Sequence, residues 1–451
     1  MNTFYSQYIG FGGTYLSFLD FLEVMTYKTI QDTVHGSVKF SGPFLELIDC
    51  PEIQRLRGIK QLGLTNLVFP GANHTRLEHS IGAYHVAEKM SQQLELEENE
   101  KDTVKAAALL HDVGHAPFSH TLEFIIEDQD GQDHMDVTQE LIKGERKIED
   151  RDYPTIPEIL EDHEIDPGKV AELIKEKPDH VKITDFNIHE EQGYFGKEKY
   201  MYQMIHGSLD VDQLDYLLRD SHYTGAAHGI IDLERLIQTV EIFNGDLVVS
   251  KGGVAAVEGM LVARGLMFSS VYFHKTARIA ELMLAKAVDN LGKIPDNFFS
   301  MSDDEFITYL REQGGFQQEI VERLKYRRLY KKCLSLDRDE VKKAEGIQLD
   351  EIGKLKNIRD LERRIASRGN IDENSVLVDV PYEEVKLSEP RLSRTGIKIL
   401  DDNDLAPLSK YSPLARALQR RPPQPWALMV SCLTKMRDEI GRKAKKEIMS
   451  G

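Results

Sequence analysis

The segment Ala106-Ala-Ala-Leu-Leu-His-Asp-Val-Gly-His-Ala-Pro-Phe-Ser-His120 sets three histidines and an aspartate directly after an apolar run. Imidazoles and carboxylates carried into an apolar interior are costly unless something pairs with them. A divalent cation handling phosphate chemistry is such a partner. The run predicts a helix over 102–114 that delivers His111 and Asp112 side by side and breaks at Gly114 and Pro117. His115 follows His111 by four residues and shares its face if the helical turn continues. Matching residues occur elsewhere. His79 lies on the Ala83, Val86 and Met90 stripe of a helix predicted from Arg76 to Met90. Asp212, Tyr216 and Asp220 recur every four residues within Gly207–Gly225, opposite Leu214, Leu217 and Leu218. On that pattern Asp210 and Asp215 face solvent. Two imidazoles and two carboxylates, from His79, His111, Asp112 and Asp212, suit one borderline ion such as Fe, Mn, Zn, Ni or Co. Neighbouring helical positions point about 100° apart. His111 and Asp112 therefore reach one ion only at a helix end or on a helix facing a cleft.

These side chains must be positioned by a mainly helical chain. With 451 residues, the length exceeds what one core usually serves. Residues 25–50 read as short extended segments, and Phe44 to Leu62 as two helices divided at Pro51. Val68-Phe-Pro-Gly-Ala72 is a turn. Helix is predicted again over 118–143, with a polar stretch at 128–136 that holds His134. Asp246–Ser250 and Gly252-Gly253 indicate a hairpin, and one long helix follows from about 254 to 290. Residues 301–369 read as a charged helical region. Its Arg323–Lys332 cluster is a solvated basic helix or an anion-steering surface. Residues 370–451 shift to strands at 375–380, 396–400 and 426–431 and close with a helix, 434–448. They form a small α+β subdomain. The aromatic-rich residues 1–24 carry Asp20 and Glu23 and no basic leader, which argues against a signal peptide. They read as an N-terminal extension, either an added helix or interface arm or a stretch upstream of a domain that starts at Met25.

Composition narrows the function. Net charge is −18, which argues against a nucleic-acid coat while allowing an anionic small substrate. No run reaches the ~18 consecutive apolar residues of a membrane span, so no membrane partner is expected. Cys50, Cys333 and Cys432 are odd in number and widely spaced, as in a reducing, cytoplasmic setting.

His79, His111-Asp112 and Asp212 match the signature of the HD-domain phosphohydrolase superfamily. Six longer stretches extend the match: Asp32–Gly36, Gln54–Gly63, Val68–Ala72, Arg76–His79, His111–His120 and Asp210–Asp220. Together they resemble the deoxynucleoside triphosphate triphosphohydrolase branch that includes the vertebrate SAM-and-HD-domain enzyme. The resemblance is strong over about 25–290 and weak in the tail. It implies a multi-helix HD core over 25–300 that cuts a dNTP between the 5′ oxygen and the α-phosphorus, with further Mg for the triphosphate. It assigns His115 to the α-phosphate, His120 to the acid for the leaving oxygen with Glu123 as partner, and His134 to a further active-site role. Gln61 and Leu62 would touch the deoxyribose, and Asp220 the 3′ hydroxyl. Arg76, Arg264 and Tyr216 would hold phosphates, and Tyr272 the sugar.

A divalent ion would polarise the phosphate and acidify water near neutral pH. Histidine is well tuned to protonate a departing oxygen there.

The sequence departs from the branch at Gln213, Phe268 and Met135, where lysine, histidine and an acid are usual. The branch is typically a homotetramer switched by nucleotides at subunit interfaces. Asp49, Gln54, Arg57 and Lys275 match its activator-binding positions, so a homo-oligomer, dimer or tetramer, under allosteric control is expected. The same ligand set would serve a phosphodiesterase or phosphatase on another nucleotide, or a dNTP-binding sensor with little turnover.

Overall fold

The computed structural model describes residues 27–148, 153–175, 198–342, 352–381, 396–418 and 426–449. The expected extension, 1–24, lies outside them. Among the described residues the fold is mainly helical, with three small sheets. An antiparallel hairpin opens it: β1 (Tyr27–Asp32) pairs with β2 (Gly36–Ser41). Short helices Pro43–Leu47 and Pro51–Arg55 follow, each with proline in its first turn, where the missing N–H costs nothing.

Three helices carry the central residues. Arg76–Gln93 starts with a capping box between Thr75 and Glu78. It packs against Glu98–Leu110 and against Val211–Thr224. Glu98–Leu110 buries Ala106, Ala107, Ala108, Leu109 and Leu110 almost completely, which makes it the central helix of the core. It ends at Leu110, earlier than the predicted 114, so His111 and Asp112 sit at a helix end and His115 follows in a turn. Asp210 accepts from Gln213 N at 2.8 Å and caps Val211–Thr224. It is fully buried, not solvated as the pattern implied. Gly82 lets the Arg76–Gln93 and Val211–Thr224 helices approach closely. A Cβ there would stand 1.9 Å from Asp215 Oδ1 and 2.4 Å from Arg219 Nη2.

The 118–143 segment divides into helices Ser119–Asp130 and His134–Ile142. The hairpin lies one strand earlier than expected: β3 (Val240–Phe243) turns at Asn244-Gly245 into β4 (Asp246–Ser250). Both turn residues have positive φ, 52° and 80°, the pattern of a type I′ turn. The predicted 254–290 helix is interrupted. Val254–Met267 runs into a π-helical turn, Phe268–Tyr272, and His274 Nδ1 accepts from Thr276 N at 3.3 Å to start Lys275–Asp289. The stretch Lys251–Tyr272 is long and apolar enough by composition to cross a membrane. Here it is a core helix: Val257, Met260, Leu261, Arg264 and Met267 are buried within the fold.

Beyond residue 300, helices Asp303–Glu312 and Gly315–Lys325 are followed by a strand, not more helix. This strand, β5 (Lys331–Leu336), takes up the end of the basic cluster. It joins β9 (Leu428–Cys432) and β6 (Val376–Asp379) in the order β5-β9-β6, covered by Leu355–Gly369 and Arg437–Met449. The strands β7 (Lys398–Asp401) and β8 (Asp404–Pro407) extend the β3-β4 hairpin through a parallel β4-β7 pairing.

Candidate metal centre and active site

The histidine on Arg76–Gln93, the histidine at the end of Glu98–Leu110 and the aspartate on Val211–Thr224 meet. Nitrogens of His79 and His111 and a carboxylate oxygen of Asp212 all lie within 4.8 Å of one another. His79 Nε2 is 3.2 Å from His111 Nε2 and 3.0 Å from Asp212 Oδ1. The donor set itself tests whether a cation fits. His111 Nδ1 donates to the Ala108 carbonyl at 2.8 Å, and His79 Nδ1 donates to Asp215 Oδ2 at 2.7 Å. Both rings therefore turn Nε2 toward the centre as the free ligand atom, with the outer nitrogen fixed as metal-bound histidines usually have it. Asp112 stands beside the trio. Its Oδ1 is 3.3 Å from His111 Nε2 and 3.1 Å from His115 Nε2, and its Oδ2 accepts from Arg76 Nη1 at 2.7 Å.

Asp215 is the residue the helical pattern misjudged. It is completely buried, and besides His79 it accepts from His35 Nε2 at 2.6 Å and from Arg219 Nε and Nη2 at 2.8 and 2.9 Å. Arg219, itself fully buried, reaches on to Asp32 Oδ2 at 2.8 Å. Burial alone would raise the Asp215 carboxyl, but Arg219, His35 and His79 hold it well below the usual range. The permanently charged carboxylate fixes the His79 tautomer. Burial would likewise lower His79, but Asp212 and Asp215 raise it to about 10. A proton thus occupies the centre when no cation does, and an entering ion must displace it.

The turn after His111 is held from several sides. Gly114 lies so close to the next helix that a Cβ would stand 2.4 Å from both His134 O and Thr138 N. Phe118 takes φ 51°, a strained value for an aromatic residue, with its N–H donating to Asp303 Oδ1 at 3.1 Å. Arg55 donates to the Val113, His115 and Met301 carbonyls at 3.0, 2.7 and 3.1 Å. Burial lowers its guanidinium to about 10, which leaves it cationic at neutral pH. None of Arg55, Asp303 or Asp215 was given a site role from the sequence, because most of their partners are remote in it.

His115 and His134 stack, with ring centres 4.0 Å apart at 13°. Burial, Arg76 and His134 push His115 well below its ordinary value, so it is a neutral imidazole. Burial opposes charge on His134, yet the paired Glu123 carboxylate raises it. His120 opens the Ser119–Asp130 helix, and its side chain lies outside the described residues.

A second wall continues along Val211–Thr224. Asp220 Oδ2 accepts from the Tyr272 hydroxyl at 2.7 Å, and Oδ1 from His74 Nε2 at 2.8 Å. Tyr216 meets Tyr272 edge to face at 6.1 Å. Gln61 is buried, and its Oε1 has no hydrogen-bond partner among the described residues. Leu62 is half-buried against the core. Arg76 and Arg264 are both buried, the latter 5.9 Å from the Phe268 ring centre. Gln213 folds away onto Asp210 Oδ2 and the Gly207 carbonyl.

Of the expected activator residues, Asp49, Arg57 and Lys275 are exposed and Gln54 is half-buried. Asp49 pairs with Lys28, Arg57 Nε donates to Gln54 Oε1 at 2.8 Å, and Lys275 stands exposed at a helix start.

Cation ligands drawn from three helices, backed by a buried carboxylate and bordered by arginines, define a metal-dependent hydrolase centre. Residues 76–220 match the HD domain and 231–449 the HD associated region, and the chain belongs to the HD-domain phosphohydrolase family. An uncharacterized protein of Methanocaldococcus jannaschii is 31% identical over 416 residues, 89% of this chain and 78% of that one. A Dictyostelium discoideum protein named deoxynucleoside triphosphate triphosphohydrolase SAMHD1 homolog is 29% identical over 336 residues. That match spans 69% of this chain and 61% of its own length. The crystal structure of a hypothetical protein from Aquifex aeolicus superposes with a TM-score of 0.69 at 28% identity, covering 93% of this chain and all of that one.

Proposed function

We propose that this chain hydrolyses deoxynucleoside triphosphates to deoxynucleoside and inorganic triphosphate. The observation that carries the reading is the meeting of His79, His111 and Asp212 beside the Arg76–Asp112–His115 cluster. A divalent cation held by His79, His111 and Asp212, with Asp112 alongside, would supply Lewis-acid polarisation of a phosphoryl oxygen.

The chain's own groups account for the rest. Arg76 keeps its buried Nε without a hydrogen-bond partner among the described residues, which suits a phosphate oxygen. His115, uncharged and held against Asp112, lines the phosphate subsite without adding charge. His134, whose charged form the Glu123 carboxylate favours, and His120 are the proton donors assigned to the leaving 5′ oxygen. Gln61 Oε1 and Asp220 offer acceptors for sugar hydroxyls. Leu62 and Tyr272 supply apolar surface for the sugar, and Tyr216 and Arg264 complete the phosphate wall.

The named activity of the Dictyostelium relative favours this substrate among those an HD centre serves. Assembly into a dimer or tetramer, with an activating nucleotide near Asp49, Gln54, Arg57 and Lys275, belongs to the same proposal.

Incubation of the protein with each dNTP and Mn or Mg, followed by product identification, is expected to yield deoxynucleoside and tripolyphosphate. Pyrophosphate or orthophosphate as the product would replace this reading with another phosphoester hydrolase. Bound, unaltered nucleotide would replace it with a sensor.

A further inference from the structure

We propose that His74 is a positioning residue for recognition of the substrate's 3′ hydroxyl. The inference rests on the dNTP reading above. Nothing in the HD signature points to this histidine, which lies two residues before Arg76 in the loop that enters the first site helix. It is 2% exposed. A buried histidine needs a reason, since its polar nitrogens lose water.

His74 touches both groups that would read the sugar. Its carbonyl accepts from Gln61 N at 3.0 Å, which fixes the Gln61 backbone. Its ring Nε2 donates to Asp220 Oδ1 at 2.8 Å. Asp220 is thus gripped on both oxygens, by His74 and by the Tyr272 hydroxyl. Each carboxylate oxygen has a second lone pair for a ligand hydroxyl. The ring is itself locked. Tyr223 stacks on it at 4.5 Å and 17°, and the Tyr223 hydroxyl is tied to Glu78 and Thr33. Three stretches of chain, 61, 74 and 220, are in this way brought into one register. A hydroxyl that meets preset acceptors is discriminated strongly from its absence, because the acceptors are otherwise left unpaired in a dry site. Loss of the grip on Asp220 lets the carboxylate turn and weakens that discrimination.

The Gln61 contact is to a backbone carbonyl, so it survives any side-chain change at 74. Substitution there isolates the effect on Asp220. The test compares kcat/KM for dNTPs and for their 2′,3′-dideoxy counterparts in the full-length, metal-loaded protein. His74→Phe keeps a ring against Tyr223 and removes the donor. It is expected to shrink the dNTP-to-dideoxy ratio by about tenfold or more, through a raised KM for the dNTP. Dideoxy kinetics and metal content stay near wild type. His74→Gln, which retains an N–H donor, is expected to restore much of the ratio. An unchanged ratio in His74→Phe, or an equal loss for both substrate classes, would overturn the proposal. Wild-type protein that cleaves dNTPs without distinguishing the dideoxy forms defeats this inference alone. Wild-type protein that cleaves no dNTP defeats the functional reading as well.

Discussion

His111→Ala and Asp212→Ala proteins are expected to purify without bound divalent metal, whereas the wild-type chain retains it. Each of the two supplies an atom to the trio, and the second nitrogen of His111 is already committed to the Ala108 carbonyl. Removal of either leaves two donors from the trio. Outer-sphere changes alone cost metal sites about 10–100-fold in affinity, so loss of a direct ligand should exceed that. The Asp212 side chain is 31% exposed. Its truncation therefore creates no sealed cavity, and the variant should melt near the wild-type temperature. Hydrolysis should vanish with the metal. Metal analysis finding full occupancy in both variants would contradict the coordination described here.

Arg219→Ala has the largest expected effect on stability. The guanidinium neutralises two buried carboxylates, Asp215 and Asp32, at 2.8 Å each. Breaking a buried ion pair by deleting one partner typically costs about 3–5 kcal/mol, because the remaining charge is stranded. Here both carboxylates would lose their guanidinium partner and a void would be left behind. Urea unfolding should show a loss of this size. Metal affinity should fall as well, since Asp215 would no longer be held against His79. A loss below about 1 kcal/mol would show that the network is not the clamp its geometry implies.

The ligands were legible because they fall in short motifs whose spacing within each segment is local. Asp212, His79 and the His111-Asp112 couple could each be placed on or beside a predicted helix. What lay beyond reach was mostly non-local. Asp215 was read as solvated because its helix looked leucine-faced on one side and acidic on the other. In the fold this helix is enclosed: Asp215 meets His35 and His79, and Arg219 beside it reaches Asp32. Its pairing with Arg219 four residues on was a visible hint. Asp210 also had a local signal, an aspartate just ahead of a helical run, and it serves as the cap. Asn244-Gly245 was a turn signal passed over in favour of the glycines at 252–253. The break after Met267 was announced only weakly, by Gly265: the π turn inserts itself into a sequence whose four-residue spacing looks continuous. The strand Lys331–Leu336 was hidden by its lysines, and it forms because β9 offers it a partner almost a hundred residues away.

The central claim is that three helices bring His79, His111 and Asp212 to one cation. Anomalous diffraction from crystals grown with manganese tests it most directly. The prediction is a single strong peak bounded by His79 Nε2, His111 Nε2 and the Asp212 carboxylate. Manganese bound elsewhere, with that position empty in crystals of hydrolytically active protein, would contradict it.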